Sequence, residues 1–444
     1  MTAPAAPKVV VIGAGLSGLC CALRLQELGC KAVIVDPRHR VGGRVSTESS
    51  DGYLIDRGFQ ILLTAYPEAR RQLDFDRLRL RRFPSAAKIF DGQRFRQIAD
   101  PVRHPLVAVG SLFDGTVGLR EVGALVPRVI SALLRRPDSP TVTGRSVRDA
   151  VAPSMRPSFV DGFLRSFFGG VFLDRSLGTD VGQFEFCLRM FAAGAAAIPA
   201  GGMAEIPRQL AADLDPGSLR LGRRAESIAA GSVALSDGST EQADAVVIAT
   251  EQGESERLAA TAKEGREDSD SERPWCSTAL LAFELPAAQA GDGTLLLDGT
   301  GAGPVNHACF ISAVAPTYAP TGRAIFYANV VDESALAMSD EALEDAARRQ
   351  LRSWFGGASP ASGGDPLADW RVRRLVRIPK ALPRQHPIDL AAERPLRVEP
   401  GIHRCGDHLL DGSINGAMRG GRLAAEAVAK ELGAVPKQGL RGNP

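Results

Sequence analysis

The sequence predicts an α/β protein of two domains, a Rossmann-type, doubly wound domain and an inserted domain of mixed α+β structure. Three observations predict this fold. The chain has 444 residues, more than one small core accommodates. An apolar strand, a glycine-rich turn and a helix with apolar spacing open the chain in the order of a βαβ unit. Two regions with a different pattern of apolar and polar residues interrupt this order before it returns near the C-terminus.

The first βαβ unit is the clearest element of the sequence. "KVVVI" is an uninterrupted apolar run, as a central parallel strand needs when both its faces are covered. "LSGLCCALRLQEL" then has helical apolar spacing and ends at a glycine, and "KAVIVD" gives the second strand. Farther along, Asp91-Gly92 and Asp237-Gly238 each separate two alternating runs, which predicts two β-hairpins. Between these hairpins, residues 105–195 are predicted to be mostly helical.

Composition and charge exclude several classes of protein. A formal net charge of +2 gives no general attraction for nucleic acid, and no aromatic residues interleave the arginine-rich runs. The seven cysteines contain no C-x-x-C pair and the six histidines show no ligand spacing, so we predict free thiols and no metal site. The N-terminus has no apolar segment typical of a signal peptide, and no apolar run is long enough to span a bilayer. We therefore expect a cytoplasmic protein.

The turn after the first strand carries a dinucleotide-binding motif. "GAGLSG" spaces Gly13, Gly15 and Gly18 as G-x-G-x-x-G between a predicted strand and a predicted helix. The first glycine permits the tight turn, the second lets a pyrophosphate approach the backbone, and the third lets helix and strand pack closely. Asp36 ends the second strand, where a carboxylate binds ribose hydroxyls. We predict a bound dinucleotide with an unphosphorylated adenosine ribose.

A second glycine pair follows this acid in "DPRHRVGGRVST". Gly42 and Gly43 are flanked by Arg38 and Arg44, so the backbone can approach a cofactor closely while a guanidinium holds its phosphate. Nicotinamide enzymes do not need this pair. The two glycine motifs together resemble the double fingerprint of the flavin-containing amine oxidase superfamily, which includes protoporphyrinogen oxidases and phytoene-type desaturases. The resemblance implies FAD as the cofactor, with Arg44 as a contact on the diphosphate side rather than a catalyst.

The C-terminal stretch "GIHRCGDHLLDGSINGAMRGGRLAAEAVAKEL" resembles the closing motif of the same superfamily. By that resemblance Gly406 and Asp407 bind the ribityl or pyrophosphate part of FAD. The helix that starts around Ile414 and Ala417 would direct its N-terminus at the flavin, where it stabilises the anion of the reduced ring. "RRAESI" resembles the strand whose backbone contacts the adenine, with Ala225 at the contact position.

The substrate region departs from the amine-oxidase pattern at two positions. Leu280 stands about where those enzymes have a lysine that is water-bridged to the flavin, and Ser413 stands where they have an aromatic wall. With 3 Trp and 4 Tyr, an aromatic cage for an amine is hard to build. "IPAGGMAEIPRQLA" and "IPKALPRQHP" resemble instead the branch that handles isoprenoid or porphyrinogen substrates. Such substrates need a long apolar cavity, which Phe163–Phe172 could line, although a role in the core is the simpler interpretation of that run.

These segments define two domains that are discontinuous in sequence. The FAD-binding domain is predicted to consist of 1–70, 195–255 and 385–435, the substrate-binding domain of 71–194 and 256–384, and a disordered tail of 436–444.

We therefore predict an FAD-dependent oxidoreductase that transfers a hydride from a substrate carbon to flavin N5, dehydrogenating or desaturating an apolar, isoprenoid- or porphyrinogen-like molecule. Oxygen or a quinone is the predicted electron acceptor. Two alternatives stay open, an oxidase of primary or secondary amines and a flavoprotein that binds a partner without turnover. No catalytic residue is assigned, although Lys380 and His386 are titratable candidates. Basic runs in residues 70–83 and 371–380 leave peripheral contact with a membrane surface open.

Overall fold

The computed structural model of the chain describes residues 5–99, 103–104, 106, 110–112, 115–135, 140–229, 231–262, 274–356, 364–391 and 396–436. Its first elements in chain order are β1 (Lys8–Ile12), α1 (Leu16–Glu27), β2 (Lys31–Asp36), β3 (Thr47–Ser50), β4 (Tyr53–Asp56), β5 (Leu62–Leu63), α2 (Pro67–Gln72), α3 (Phe75–Leu78), β6 (Leu80–Arg82), β7 (Ala86–Phe90) and β8 (Phe95–Ala99). A helical region follows with α4 (Leu119–Arg135), α5 (Val147–Ala150), α6 (Pro157–Phe159), α7 (Arg165–Phe172) and α8 (Val181–Ala193).

The second half of the chain returns to strands. It continues with β9 (Ala196–Pro199), α9 (Glu205–Ala212), β10 (Leu219–Leu221), β11 (Ala225–Ala229), β12 (Ser232–Leu235), β13 (Thr240–Gln242), β14 (Ala245–Ile248) and α10 (Gln252–Ala262). The last elements are β15 (Trp275–Pro286), β16 (Leu295–Asp298), β17 (Val305–Phe310), α11 (Ile311–Val314), β18 (Arg323–Val330), α12 (Glu333–Leu336), α13 (Asp340–Phe355), β19 (Arg371–Pro383), α14 (Pro387–Ala391), β20 (Arg397–Glu399), β21 (Ile402–Arg404) and α15 (Ile414–Glu431).

A six-stranded sheet has its strands in the order β10-β2-β1-β14-β21-β20. All neighbours in this first sheet are parallel except β20 and β21. The apolar run near the N-terminus lies at the centre, with Val10 opposite Val33 on one side and Val246 on the other. Since both faces of the sheet are covered, β1 and β2 are apolar at almost every position, as the sequence predicted.

Different structures cover the two faces of the first sheet. Val9 and Val11 pack in one apolar core with residues of α1 and α15. Val10 and Ile12 face the other way, into a core formed with the antiparallel sheet β11-β12-β13 and with α10. One of the two predicted hairpins joins β12 to β13 within that small sheet.

A seven-stranded sheet has the order β19-β15-β18-β17-β16-β7-β8. Its neighbours are antiparallel apart from β16 and β7, which run parallel. The other predicted hairpin joins β7 to β8. One face of this second sheet packs on α13 through residues such as Phe326 and Leu351. The opposite face, which includes Leu280 and Tyr327, shares the apolar core of the first sheet, so the two sheets are joined by continuous packing.

The two sheets take their strands from different parts of the chain. All strands of the first sheet lie within the segments predicted for the FAD-binding domain, and all strands of the second lie within those predicted for the substrate-binding domain. The assignment of the connecting loops and helices to two domains stays a prediction. Of the predicted tail, residues 437–444 lie outside the described residues.

The helices between residues 119 and 193 form a layer with a core rich in phenylalanine. This core includes Phe159, Phe168, Phe172, Phe184 and Phe186. The rings of Phe168 and Phe184 have centroids 4.6 Å apart. Phe168 and Phe172, which belong to the predicted apolar wall, therefore pack against the protein itself. No helix among the described residues is both long and apolar enough to cross a bilayer.

One buried carboxylate connects several of these layers. Oδ1 of Asp56 accepts the hydroxyl of Thr47 at 2.6 Å and the N–H of Met203 at 3.0 Å, and Oδ2 accepts the hydroxyl of Tyr318 at 2.7 Å. The N–H of Asp56 donates to the hydroxyl of Tyr327 on the second sheet at 2.9 Å. Burial raises the pKa of Asp56 to about 6, although the three hydrogen bonds to its carboxylate act to lower that pKa.

Replacement of this carboxyl should change how stability depends on pH. Because the pKa of Asp56 is raised in the folded state to about 6, its contribution to stability is complete below the unfolded pKa near 4 and is lost as pH rises through 6. In the wild type, protonation of Asp56 should raise the unfolding free energy by up to about 1.4 kcal/mol for each unit that the pH falls from 6 to 4. Asp56→Asn should remove this increase. Urea unfolding of both proteins across this range measures the difference, in which contributions from other groups cancel. An identical pH slope in the two proteins would contradict the assignment.

Candidate cofactor-binding site

The turn between β1 and α1 depends on its glycines. Gly13 has a φ of +113° and donates its N–H to the carbonyl of Val35 at 2.8 Å. A Cβ at Gly18 would lie 1.9 Å from the carbonyl oxygen of Gly13, so a side chain there would push the helix off the turn. A Cβ at Gly15, in contrast, would meet no atom within 4 Å. The turn is therefore open at Gly15, where α1 begins without a capping side chain and leaves its first amides available to an anion.

Asp36 ends β2 beside this turn and is buried. Its Oδ2 accepts the N–H of Ala14 at 2.8 Å, and its Oδ1 accepts the N–H of Arg38 at 2.8 Å. A carboxylate offers about four acceptor positions, so both oxygens can still accept a ribose hydroxyl. Arg38 takes part through its backbone, while its side chain is exposed.

The two glycine motifs contact each other directly. Gly42 donates its N–H to the carbonyl of Ala14 at 2.8 Å, and Gly42 and Gly15 form an isolated parallel bridge. Gly42 has a φ of +108°, and a Cβ there would lie 2.2 Å from the carbonyl oxygen of Val45. A Cβ at Gly43 would lie 3.5 Å from the Cα of Gly15. The second motif thus packs against the first with backbone alone between them.

Arg44 connects the second glycine motif to the C-terminal motif. Its Nη2 donates to Oδ1 of Asp407 at 2.5 Å, and its Nη1 donates to the carbonyl of Ala381 at 3.1 Å. The guanidinium lies over the ring of Trp275, 5.2 Å from its centroid. Asp407, which follows Gly406 in the chain, is buried. Arg44 and Asp407, predicted as separate cofactor contacts, form an ion pair with each other.

Helix α15 begins at Ile414 next to the start of α1. Its N-cap is Ser413, whose Oγ accepts the N–H of Gly416 at 2.9 Å. Ser17 in the first turn of α1 donates its hydroxyl to the carbonyl of Ala417 at 2.8 Å. The N-termini of the two helices therefore lie together, and their dipoles add positive potential on the same side of the site.

Ala225 lies at the Asp36 end of the site. It is a buried residue at the start of β11, and its carbonyl accepts Nη2 of Arg257 at 3.1 Å. Just before it, Arg223 donates its N–H to the carbonyl of Asp36 at 3.0 Å. This position agrees with the predicted contact to an adenine, which itself stays a prediction.

Several buried polar atoms near Arg44 and α15 have no partner among the described residues. They are Oε1 of Gln60, Nε1 of Trp275, Oε1 of Gln385 and Nδ2 of Asn415. An unsatisfied buried polar group costs about 1–3 kcal/mol, so a group of them marks a place where another molecule completes the hydrogen bonds. The polar edge of a flavin carries donors and acceptors, so these residues fit the predicted cofactor.

The second sheet turns an almost uncharged face toward this region. Leu280, Asn329 and His307 lie in register on three neighbouring strands, and all three are buried. Desolvation lowers the pKa of His307 to about 4, so the imidazole is neutral near pH 7. The ring of Phe59 meets that imidazole edge-on, with centroids 4.8 Å apart.

Comparison with known proteins agrees with this geometry. The chain matches the family model of flavin-containing amine oxidoreductases over residues 16–429. The chain belongs to this family. An oxidoreductase from Methanosarcina mazei superposes with a TM-score of 0.71 at 17% identity, covering 94% of this chain and 100% of that chain. At that identity the similarity shows the fold.

Curated relatives in sequence match only short segments. The lycopene-forming phytoene desaturase of a Paracoccus strain is 39% identical over 70 residues, which is 16% of this chain and 14% of the relative. Polyamine oxidase 2 of Arabidopsis thaliana is 40% identical over 52 residues, which is 12% of this chain and 11% of the relative. The matched segments therefore cover far less than two thirds of either relative.

Each of the two titratable candidates for a catalytic role lies beside an acidic residue. Nζ of Lys380 lies 3.9 Å from Oε1 of Glu251. Nε2 of His386 lies 2.9 Å from Oδ2 of Asp174. Burial alone would raise the pKa of Asp174, but hydrogen bonds from His386 and Ser176 outweigh it and hold that pKa at about 2. An ionised Asp174 thus orients the imidazole of His386.

Four residues of the site were not predicted from the sequence. Trp275 had a weak signal, because it is one of only 3 tryptophans and lies two residues before a predicted strand. Gln385 and Asn415 lie within segments that resemble the family, but nothing in the sequence distinguished their side chains. Gln60 had no signal, since a single amide in a loop has no pattern until the fold brings it beside Arg44.

The open space at Gly15 gives a test of cofactor placement. Gly15→Val should yield folded but colourless protein, because the new side chain meets no protein atom within 4 Å of its Cβ and instead occupies the space in front of the turn. Visible absorbance of the purified variant measures flavin content, and circular dichroism measures folding. A yellow, flavin-replete variant would show that the cofactor lies elsewhere.

Gly18→Ala is the matched control in the same turn. Its Cβ would lie 1.9 Å from the backbone of Gly13, so this smaller substitution should destabilise the protein strongly. A Gly15→Val protein that unfolds as readily as Gly18→Ala would also contradict the open turn.

Proposed function

We propose that this protein is an FAD-dependent oxidoreductase that dehydrogenates or desaturates an apolar, isoprenoid- or porphyrinogen-like substrate. The observation that carries the substrate class is the sheet face around Leu280, which is buried and lies in register with Asn329 and the neutral His307. A site with such a wall suits a substrate without charge.

A carboxylate on the adenosine side of the site supports FAD over a mononucleotide flavin. The open turn at Gly15 would take the pyrophosphate, and the carboxylate of Asp36 would take the adenosine ribose. Arg44, Asp407 and the start of α15, which adjoins that turn, would hold the flavin side. A cofactor without the adenosine half would leave the Asp36 end unused.

The protein's part in the reaction is binding, orientation and electrostatics. When bound, the flavin supplies the two-electron acceptor for a hydride that leaves a substrate carbon, and oxygen or a quinone takes the electrons afterwards. The N-terminus of α15 supplies positive potential that favours negative charge on the cofactor, whereas the charge of Arg44 is offset by its ion pair with Asp407. The packed face around Leu280 and Phe59 excludes water from the reacting atoms.

Amine oxidation is the second candidate, supported by the polyamine oxidase relative. The phytoene desaturase relative supports the first candidate instead. Leu280 provides no amine at the position where amine oxidases have a lysine, and Ser413 caps α15 where they place an aromatic residue. These two residues favour the apolar substrate.

Anaerobic reduction of the bound flavin tests the proposal. Protein with its native cofactor is mixed with polyprenes or porphyrinogens in detergent, and in parallel with primary and secondary amines. We expect loss of visible flavin absorbance with an apolar compound only, and extracted cofactor with the mass of FAD. Bleaching by an amine would establish the second candidate. A flavin that no organic donor reduces, in folded protein, would instead favour a binding protein without turnover.

A further inference from the structure

Helix α4 carries five large apolar residues on its outer side. Leu119, Val122, Val126, Ile130 and Leu134 recur at helical spacing, with exposed fractions of 83%, 37%, 42%, 51% and 78%. They form a stripe along the whole helix, which we call the α4 stripe. A surface helix of a globular protein normally turns such a stripe toward the core.

The inner side of α4 packs on the helical layer through Ala124 and Leu125 and also makes ion pairs. Glu121 is fully buried and accepts Nε of Arg156 at 3.2 Å. Nε of Arg128 lies 3.9 Å from Oε1 of Glu185 on α8. Because these ion pairs attach the helix to the helical layer, rotating the stripe inward would break them. The outward direction of the stripe is therefore part of the fold.

The segment that contains α4 has an excess of basic residues. Residues 103–156 contain eight basic and four acidic side chains, which gives +4, whereas the whole chain has a net charge of +2. Within this segment Arg128 and Arg156 pair with carboxylates on the inner side of α4, whereas Arg120 on α4 and Arg145 are exposed. An apolar stripe on a helix with exposed arginine is complementary to an anionic lipid surface, because the acyl boundary accepts apolar side chains and the headgroups accept basic ones.

The basic run at residues 371–380 is less suited to that role. Nε of Arg374 lies 3.3 Å from Oε2 of Glu48, and Nε of Arg377 lies 2.8 Å from Oδ1 of Asp340. Acidic neighbours therefore offset part of its charge, and the run lies in β19 of the second sheet rather than on an apolar surface helix.

We propose that the α4 stripe docks this protein onto an anionic lipid surface. A second copy of the chain is the competing occupant, but two such faces would bring their positive charges together, which disfavours that pairing. The proposal concerns the outer surface of the helical layer and does not depend on the reaction proposed above.

Vesicle flotation tests the proposal on the full-length protein. The wild type is mixed with phosphatidylcholine vesicles that contain roughly one third phosphatidylglycerol, and separately with pure phosphatidylcholine vesicles. We expect flotation with the anionic vesicles, weakened by high salt and by omission of the anionic lipid. In a variant with Leu119→Gln, Ile130→Gln and Leu134→Gln, the partition coefficient should fall roughly tenfold or more, because the apolar area buried in the lipid is lost.

A matched control variant also replaces three exposed apolar residues by glutamine, but at positions outside α4. Met338→Gln, Ile388→Gln and Val435→Gln should leave flotation unchanged, since these residues are 38%, 77% and 78% exposed but lie outside α4. Circular dichroism verifies that both variants are folded. The proposal fails if the wild type does not float with anionic vesicles, or if the α4 variant floats as well as the wild type. It also fails if the wild type is a dimer that the α4 variant converts to a monomer without any binding to vesicles.

Discussion

The direct contact between two glycine turns is the constraint on which the site depends. Gly15 and Gly42 approach as backbone to backbone, and a Cβ at Gly42 or Gly18 would lie 2.2 Å or 1.9 Å from a carbonyl oxygen. Because these turns touch, Arg44 emerges where its guanidinium meets Asp407 from the far end of the chain. Three segments that are remote in sequence thus meet at one edge of the first sheet, which is where helix dipoles and parallel strand ends favour a phosphate.

Apolar packing joins the second sheet to the first. Its inner face shares a core with the first sheet, and Asp56 connects both, because its carboxylate accepts from Thr47 and Tyr318 and its N–H donates to the hydroxyl of Tyr327. A carboxyl in such surroundings is expensive to ionise, which explains why its pKa is raised despite three hydrogen bonds. The contact between the two sheets therefore combines apolar packing with one polar cluster, in which the carboxylate of Asp56 accepts three hydrogen bonds.

Much of the fold could be predicted from the sequence because its signals are local. The apolar runs of β1 and β2 and the two Asp-Gly hairpins each follow from a pattern a few residues long. What could not be predicted arises from contacts between remote segments. Nothing near Arg44 in the chain indicates that Asp407 pairs with it or that Trp275 lies under it. Likewise, the apolar spacing of α4 gives the stripe but not its outward direction, which depends on ion pairs to Arg156 and α8.

Burial also affects whether an amine or a hydrocarbon suits the site. A protonated amine that enters beside Leu280 loses its hydration, and such a cation needs a carboxylate or an aromatic cage to replace it. The neutral imidazole of His307 carries no negative charge, and the carboxylate of Asp56 already accepts hydrogen bonds from Thr47, Met203 and Tyr318. A substrate without charge would lose little hydration on entering there. Desolvation, which lowers the pKa of His307 and raises that of Asp56, is therefore the physical ground on which we propose an apolar substrate.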